Sequence, residues 1–515
     1  MPRRPSLLSR RDALKTLALS ASALACSPKS FGQLAAGKRP PNIVLILSDD
    51  VGYGDLGCYG GTGVHTPNID RLAKEGLRFT DAHSDAATCT PSRYAIMTGE
   101  YAWRKPGAHI LPGDAPLLID PKRPTLPSAL KKAGYATGCI GKWHMGLGNG
   151  SIDWNGDITP GPLEVGFDYC FIIPATADRV PCVYVENHRV VGLDPKDPIT
   201  VSYKEPIGTD PTGHDHPELL KMPLSHGHDG TIVDGISRIG YMSGGKSARW
   251  VDEMMAPTLA NKAVSFIEQH KAGPFFLYLA TSDIHVPRDP NNQFVNTSAC
   301  GIRCDAIEQL DWTVGKVVET LKKNNLAEDT LVIFTSDNGP VVDDGYADGS
   351  VEHLNGHKPA ANLRGGKYSI YEGGTREPFI AYWPGKIRPG ISDAMIDQVD
   401  FLASLATLGG APVAAGAVPD STDQLRALLG ESKTGREYLV EESSVLAIRK
   451  GKWKLIDAKQ TVGKGRGAKR DTQGLDYQLF DLSQDPGEAN NIAAEHPEIV
   501  RELAAKLESI RNQKS

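Results

Sequence analysis

The run Ile43-Val44-Leu45-Ile46-Leu47 is apolar at every position, so it has no side to offer to water. A half-exposed strand would alternate; a strand apolar on both faces predicts the centre of a parallel sheet covered by helices. The run stops at Ser48-Asp49-Asp50, after which Gly52 and Gly54 turn the chain. Two adjacent carboxylates at the end of a buried strand repel each other, and a hard cation would relieve that repulsion. Seen alone, the pair also reads as solvated loop acids or caps.

The same arrangement recurs downstream. Residues 68–76 read as a short helix stopped by Gly76, and Leu77-Arg78-Phe79-Thr80 leads on toward Cys89. Residues 126–134 read as a helix with a Gly stop, followed by a strand over 135–140 that ends in Gly141-Lys142-Trp143-His144. A helical period over 256–270 precedes the strand 275–280, which runs out through Asp283 and His285. An amphipathic helix over 306–321 precedes the strand 331–336, which ends in Asp337-Asn338-Gly339. Helices alternating with buried strands predict an α/β chain with a large, mostly parallel sheet. In such sheets ligands bind outside the carboxyl ends of the strands. Four of these ends collect Asp49, Asp50, Lys142, His144, His285, Asp337 and Asn338: an oxygen-ligand set beside a proton-transfer set. That combination points to a metal-assisted hydrolase.

Two further stretches belong with these ends. Cys89-Thr90-Pro91-Ser92-Arg93 precedes a helical pattern, and Pro91 suits a first helical turn. Cys89 therefore falls at a helix N-terminus, where an anion is favoured, although a single Cys is also a common core residue. Residues 362–376 read as a Gly-rich loop without phosphate-loop spacing, from which Lys367 would reach an anion. Residues 145–250 read as long loops over the carboxyl edge, with His226 and His228 as pocket or surface histidines. Cys300/Cys304 and Cys170/Cys182 are close pairs in sequence, and no zinc pattern is present.

Composition sets the outer bounds. A net charge of −6 argues against a nucleic-acid partner, and 40% apolar with 23% charged residues is ordinary for a folded protein. Residues 1–36 read as an export leader: Arg10-Arg11, then a mildly apolar stretch ending at Ala23-Leu24-Ala25. The paired arginines resemble a twin-arginine signal, which predicts a periplasmic or extracellular protein, with lipid attachment at Cys26 as the lesser alternative. No later run reads as a transmembrane segment. The expected organisation is a leader (1–36), a catalytic domain (40–408) and a C-terminal subdomain (420–515).

Cys89-Thr90-Pro91-Ser92-Arg93 with Met97-Thr98-Gly99, and Gly134-Tyr135-Ala136-Thr137 through Gly141-Lys142-Trp143-His144, match two long signatures. On them the chain resembles the type I sulfatases of the alkaline phosphatase superfamily, from about Asn42 to the C-terminus. The resemblance implies the alkaline-phosphatase-like fold and sulfate-ester hydrolysis. It implies that a maturation enzyme oxidises Cys89 to formylglycine, whose hydrated aldehyde carries two hydroxyls on one carbon: one attacks sulfur, and the second lets sulfate be expelled. It implies that Asp49, Asp50, Asp337, Asn338 and the modified Cys89 hold calcium, or magnesium if the cage is tighter. Arg93 would hold the formylglycine, Lys142 and Lys367 the sulfate, His285 would protonate the leaving alcohol with Lys367 assisting, and His144 would serve as base.

The resemblance also places a small antiparallel sheet and a helix at the C-terminus. Residues 446–456 read as two strands around a Gly turn, 477–482 as another strand and 497–510 as a helix, with a polar, glycine-rich loop over 459–471. The expected substrate is a sulfated carbohydrate, of galactose or N-acetylgalactosamine type, or an aryl sulfate. His353, His357 and the loops of 170–250 are the candidates for selectivity. Two alternatives stay open: a formylglycine-dependent phosphonate or phosphate ester hydrolase, and an inactive exported glycan-binding protein.

Overall fold

A ten-stranded sheet organises the molecule, and its middle is parallel as the unbroken apolar runs require. In chain order its strands are β1 (Asn42–Ser48), β2 (Leu77–Phe79), β3 (Ala136–Lys142), β4 (Tyr169–Ile173), β5 (Val185–Glu186), β6 (Arg189–Val190), β7 (Phe275–Ala280), β8 (Thr330–Ser336), β9 (Phe379–Tyr382) and β10 (Gly390–Ser392). Across the sheet they lie β10-β2-β9-β8-β1-β7-β3-β4-β5-β6. The five strands from β8 to β4 run parallel, and antiparallel pairings begin at β9 on one side and β5 on the other. The computed structural model describes residues 39–414, 416–461 and 476–513. The leader, Cys26 and residues 462–471 of the expected polar loop lie outside the described residues.

Every residue of β1, β7 and β8 is buried. The flanking helices are α1 (Pro67–Glu75), α2 (Cys89–Thr98), α3 (Leu126–Lys132), α4 (Met255–His270), α5 (Gly301–Lys323) and α6 (Phe401–Leu408). α4 packs on β7 and β3, α3 on β3, and α1 on β9. Among the described residues no helix is long and apolar enough to cross a membrane.

The strand at Tyr169–Ile173 corrects the reading of 145–250 as loops alone. Five residues between turns give too short a run for a pattern to stand out, yet β4 completes the parallel core beside β3. The rest of that region holds short two- and three-residue strands and irregular chain.

From Arg39 onward the chain forms one compact unit, so the C-terminal part is a layer of it. That layer is an antiparallel sheet of β11 (Leu439–Glu442), β12 (Val445–Lys450), β13 (Trp453–Thr461) and β14 (Tyr477–Asp481), with helix α7 (Pro497–Arg511). Its alternation is functional. Leu446 and Ile448 pack with Leu503 and Leu507 of α7 and with Ala95 of α2. Val445 and Ala447, on the opposite face, pack with Ile370 and Tyr371 of the Gly-rich loop. One small sheet therefore backs both the helix that begins at Cys89 and the loop that carries Lys367.

Candidate active site

Sheet register brings the site together. Ser48 lies beside Ser336 in the β1–β8 pairing, so the residues that follow, Asp49 and Asp337, leave the sheet side by side. Leu47, Ala280 and Gly141 are level across β1, β7 and β3, so Lys142 leaves next to them. Asp50 and His144 take left-handed backbone conformations (φ 59° and 54°), uncommon for side-chain-bearing residues and concentrated where a structure holds a site in place.

Asp49, Asp50, Cys89 and Asp337 are all buried, and each offers a ligand atom within 4.8 Å of the others. Lys142 Nζ donates to both oxygens of Asp49 at 2.7 Å. Lys367 Nζ donates to Asp50 Oδ2 at 2.8 Å and to Asp344 Oδ2 at 3.0 Å. Asn338 Nδ2 donates to Asp50 Oδ1 at 2.7 Å, while its own Oδ1 is buried without a hydrogen-bond partner. Burial and the neighbouring Asp49 carboxylate push the pKa of Asp337 up. Burial likewise raises Asp49, against the pull of Lys142. Burial acts upward on Asp50 too, but Lys367 and His285 beside it hold it below the usual carboxylate range. Three crowded carboxylates, an orphaned amide oxygen and an all-oxygen donor set fit a hard divalent ion.

Helix α2 begins on Cys89 itself, with Thr88 as its N-cap. Cys89 Sγ lies 3.9 Å from Asp49 Oδ1, and burial pushes its thiol up to about 12. An unmodified thiol here stays protonated and makes a poor nucleophile. Arg93, one turn further on, donates Nε to Asp337 Oδ2 at 2.9 Å and NH1 to the Lys142 carbonyl at 2.9 Å. Arg93 thereby ties α2 to the ends of β8 and β3. Thr90 Oγ1 adds a bond to the His144 carbonyl at 2.9 Å.

The two histidines present different free nitrogens. His144 Nε2 faces the Leu111 carbonyl at 2.9 Å, which assigns Nε2 as its N–H; Nδ1 is buried and unpartnered. Burial and Lys142 hold His144 well below its ordinary range, so the ring is neutral and Nδ1 carries its free lone pair. His285 Nδ1 faces the Val286 carbonyl at 2.7 Å, leaving Nε2 pointed at Asp50 Oδ2, 4.0 Å away. Burial and Lys367 bring His285 down to about 4.

Of the remaining expected residues, His357 is buried and bonded to Asp55 Oδ1 and the Thr62 carbonyl, and His353 is exposed beside Gly349. His226 is a surface residue near Asp343, whereas His228 is largely buried with Nε2 3.0 Å from Asp178 Oδ2. Sequence reading missed the group to which His228 belongs. Asp178 is gripped by Arg179 at 2.8 Å, and both lie within electrostatic reach of the site, Arg179 of Cys89 and Asp178 of His285. Asp344 and Tyr368, 3.1 Å apart through the phenol, close the other side around Lys367. Asp178 and Arg179 follow β4, the strand that sequence did not reveal, and no motif marks them. Cys300 and Cys304 form a disulfide, while Cys170 and Cys182 are free thiols.

A fold of this kind with such a site defines an ester hydrolase for tetrahedral anions. The chain belongs to the sulfatase family, whose model matches residues 41–411, and it is a sulfuric ester hydrolase. It is 51% identical over 490 residues to the N-acetylgalactosamine-6-O-sulfatase of Bacteroides thetaiotaomicron, covering 94% of this chain and 96% of that one. It is 33% identical to human arylsulfatase A, over 91% and 88% of the two chains. A solved structure described under the metabolism of multiple glycosaminoglycans by Bacteroides thetaiotaomicron superposes with a TM-score of 0.90 at 52% identity, over 92% of this chain and 100% of that chain.

Proposed function

We infer that the protein removes sulfate from a sulfated glycan, with a 6-O-sulfated N-acetylgalactosamine-type sugar as its substrate. The observation that carries the reaction is the convergence of Asp49, Asp50 and Asp337 on Cys89, with Asn338 bonded to Asp50 and two ammonium groups beside them. The sugar class is supported by the 51% identity to an N-acetylgalactosamine-6-O-sulfatase across nearly the whole chain.

Cys89, which opens the Cys-Thr-Pro-Ser-Arg motif at the start of α2, is the residue we place as the one converted to formylglycine; burial keeps the unmodified thiol protonated and a poor nucleophile. The hydrated aldehyde supplies two hydroxyls on one carbon, one to take up sulfate and one to release it. Asp49, Asp50, Asp337 and Asn338 Oδ1 would hold a divalent ion, calcium by the character of the donors; when bound, such an ion polarises the sulfate. With Asp49 and Asp50 so engaged, the ammoniums of Lys142 and Lys367 are the donors left for sulfate oxygens. Arg93 fixes Asp337 and, through the Lys142 carbonyl, the end of β3. His285 gives a proton from Nε2 to the departing alcohol oxygen; the bound anion offsets the Lys367 field that depresses it. His144 accepts a proton at its free Nδ1. Asp178, Arg179 and His228 are the groups we place against the sugar hydroxyls.

The test is mass spectrometry of the peptide spanning Cys89, paired with sulfate release from defined sulfated sugars. We expect a mass for formylglycine at position 89 and release from 6-sulfated N-acetylgalactosamine. An unmodified thiol in active enzyme would overturn the nucleophile. Faster turnover of a matched aryl phosphonate than of the aryl sulfate would overturn the preference for sulfate.

A further inference from the structure

Behind the Asp49–Asp50 loop lies a second buried charge cluster that touches no reacting group. Its members, Asp55, Arg303 and His357, come from the loop after β1, the first turn of α5 and the chain after residue 350, and all three are buried. Arg303 grips both oxygens of Asp55, at 2.5 and 2.7 Å. Its NH2 also donates to the Asp50 carbonyl at 3.1 Å, and its Nε points at the Val341 carbonyl at 3.5 Å. One guanidinium thus spans the two loops that carry the oxygen ligands, the one after β1 and the one after β8.

Asp55 is fully used. Oδ2 accepts from the Gly52 amide at 2.6 Å, and Oδ1 is bonded to His357 Nε2 at 2.8 Å. His357 Nδ1 faces the Thr62 carbonyl at 2.9 Å, so each ring nitrogen has an oxygen partner. The Cys300–Cys304 disulfide brackets Arg303 on α5, and Cys300 Sγ sits 3.2 Å from the Gly63 carbonyl. Asp50, whose carbonyl this cluster holds, is the ligand with a left-handed backbone (φ 59°). A side-chain-bearing residue keeps that conformation only where its surroundings over-determine it. A bidentate buried Arg–Asp pair with its remaining lone pairs satisfied is a directional restraint of that kind.

We propose that Arg303, Asp55 and His357 are positioning residues for the metal site: they hold the Asp50 loop so that its carboxylate faces Asp337 and Asn338. This rests on the reading that those residues bind a divalent ion. It also gives His357, a selectivity candidate by sequence, a different task.

The test is calcium affinity of the matured enzyme after chelation, measured by calorimetric titration with calcium chloride alone, beside turnover at rising calcium. Arg303→Lys and His357→Ala should each weaken calcium binding about ten-fold or more, the range for removing a partner of a ligand. Excess calcium should restore most of the turnover of both. His357→Gln, whose amide still donates to Asp55, should stay within about three-fold of wild type. Unchanged calcium affinity in His357→Ala, or turnover lost equally at every calcium concentration, would overturn the proposal while leaving the metal reading intact. A wild-type enzyme that binds no divalent ion would overturn both. If Arg303→Lys fails to fold, the Ala/Gln pair at His357 still decides the matter.

Discussion

At the level of single residues, the site pairs each proposed proton carrier with a fixed partner on one nitrogen and leaves the other free. His285 is the case where this makes a quantitative expectation. Its Nδ1 is committed to the Val286 carbonyl, so only Nε2 can serve a leaving group. General acid catalysis matters most when the departing oxygen is a strong base. We expect His285→Gln to lose about a hundred- to ten-thousand-fold in turnover of a sugar sulfate, whose leaving alcohol is strongly basic. With 4-nitrophenyl sulfate, whose leaving phenolate is weakly basic, the loss should be at least ten-fold smaller, roughly. Equal losses on the two substrates would remove His285 from the proton-donor role. The residue types at the site were legible in sequence because charged groups at the ends of apolar runs stand out. Their partners were not: that Arg93 is spent on Asp337 and Lys142, or His357 on Asp55, depends on segments far apart in the chain.

At the level of elements, the long apolar runs and the C-terminal strands were found, and the short strands of the main sheet were not. β7 falls on Phe275–Ala280, as its apolar run predicts, and α2 begins on Cys89. β4, β9 and β10 are five residues or fewer and become strands through their neighbours, so pattern alone does not reveal them. Gly141 shows how tightly an element end is specified. It has φ +101°, and a Cβ there would meet the Ala280 carbonyl oxygen at 1.8 Å. Both the backbone region and the contact exclude a side chain. Because Gly141 immediately precedes Lys142, any shift of β3 against β7 moves the ammonium away from Asp49. Gly141→Ala should therefore cost more than about 3 kcal/mol in urea unfolding and abolish turnover together. A variant with wild-type stability and activity would show that β3 tolerates the displacement.

At the level of the whole molecule, the C-terminal sheet is bound to the catalytic layer by buried charge as well as by apolar packing. Lys454 bridges Glu372, Glu441 and Glu488 at 3.0, 3.0 and 3.4 Å. The sequence announced that sheet but not this seam, because its carboxylates lie on strands and loops that read as ordinary polar surface. Glu442 is the member without a cation. It is buried, its Oε2 has no hydrogen-bond partner, and its backbone pairs with Asp85 and Ala87 just ahead of Cys89. Burial pushes the pKa of Glu442 up to about 8, from the ordinary 4.5. The sign follows. A carboxyl whose pKa is raised in the folded state costs nothing while it is protonated in both states, below about pH 4.5. It removes stability progressively as pH rises toward 8, where the buried group must ionise. Asp400 and Glu488, each raised to about 7 by burial, act in the same direction. Tm should therefore fall between pH 5.5 and pH 8.5, and Glu442→Gln should flatten that fall, recovering at least about 1 kcal/mol at pH 8.5 with little change at pH 5. The measurement is thermal unfolding of both proteins across that range. Parallel curves would mean that Glu442 stays charged in the folded protein and that the seam between the layers draws its pH dependence from other groups.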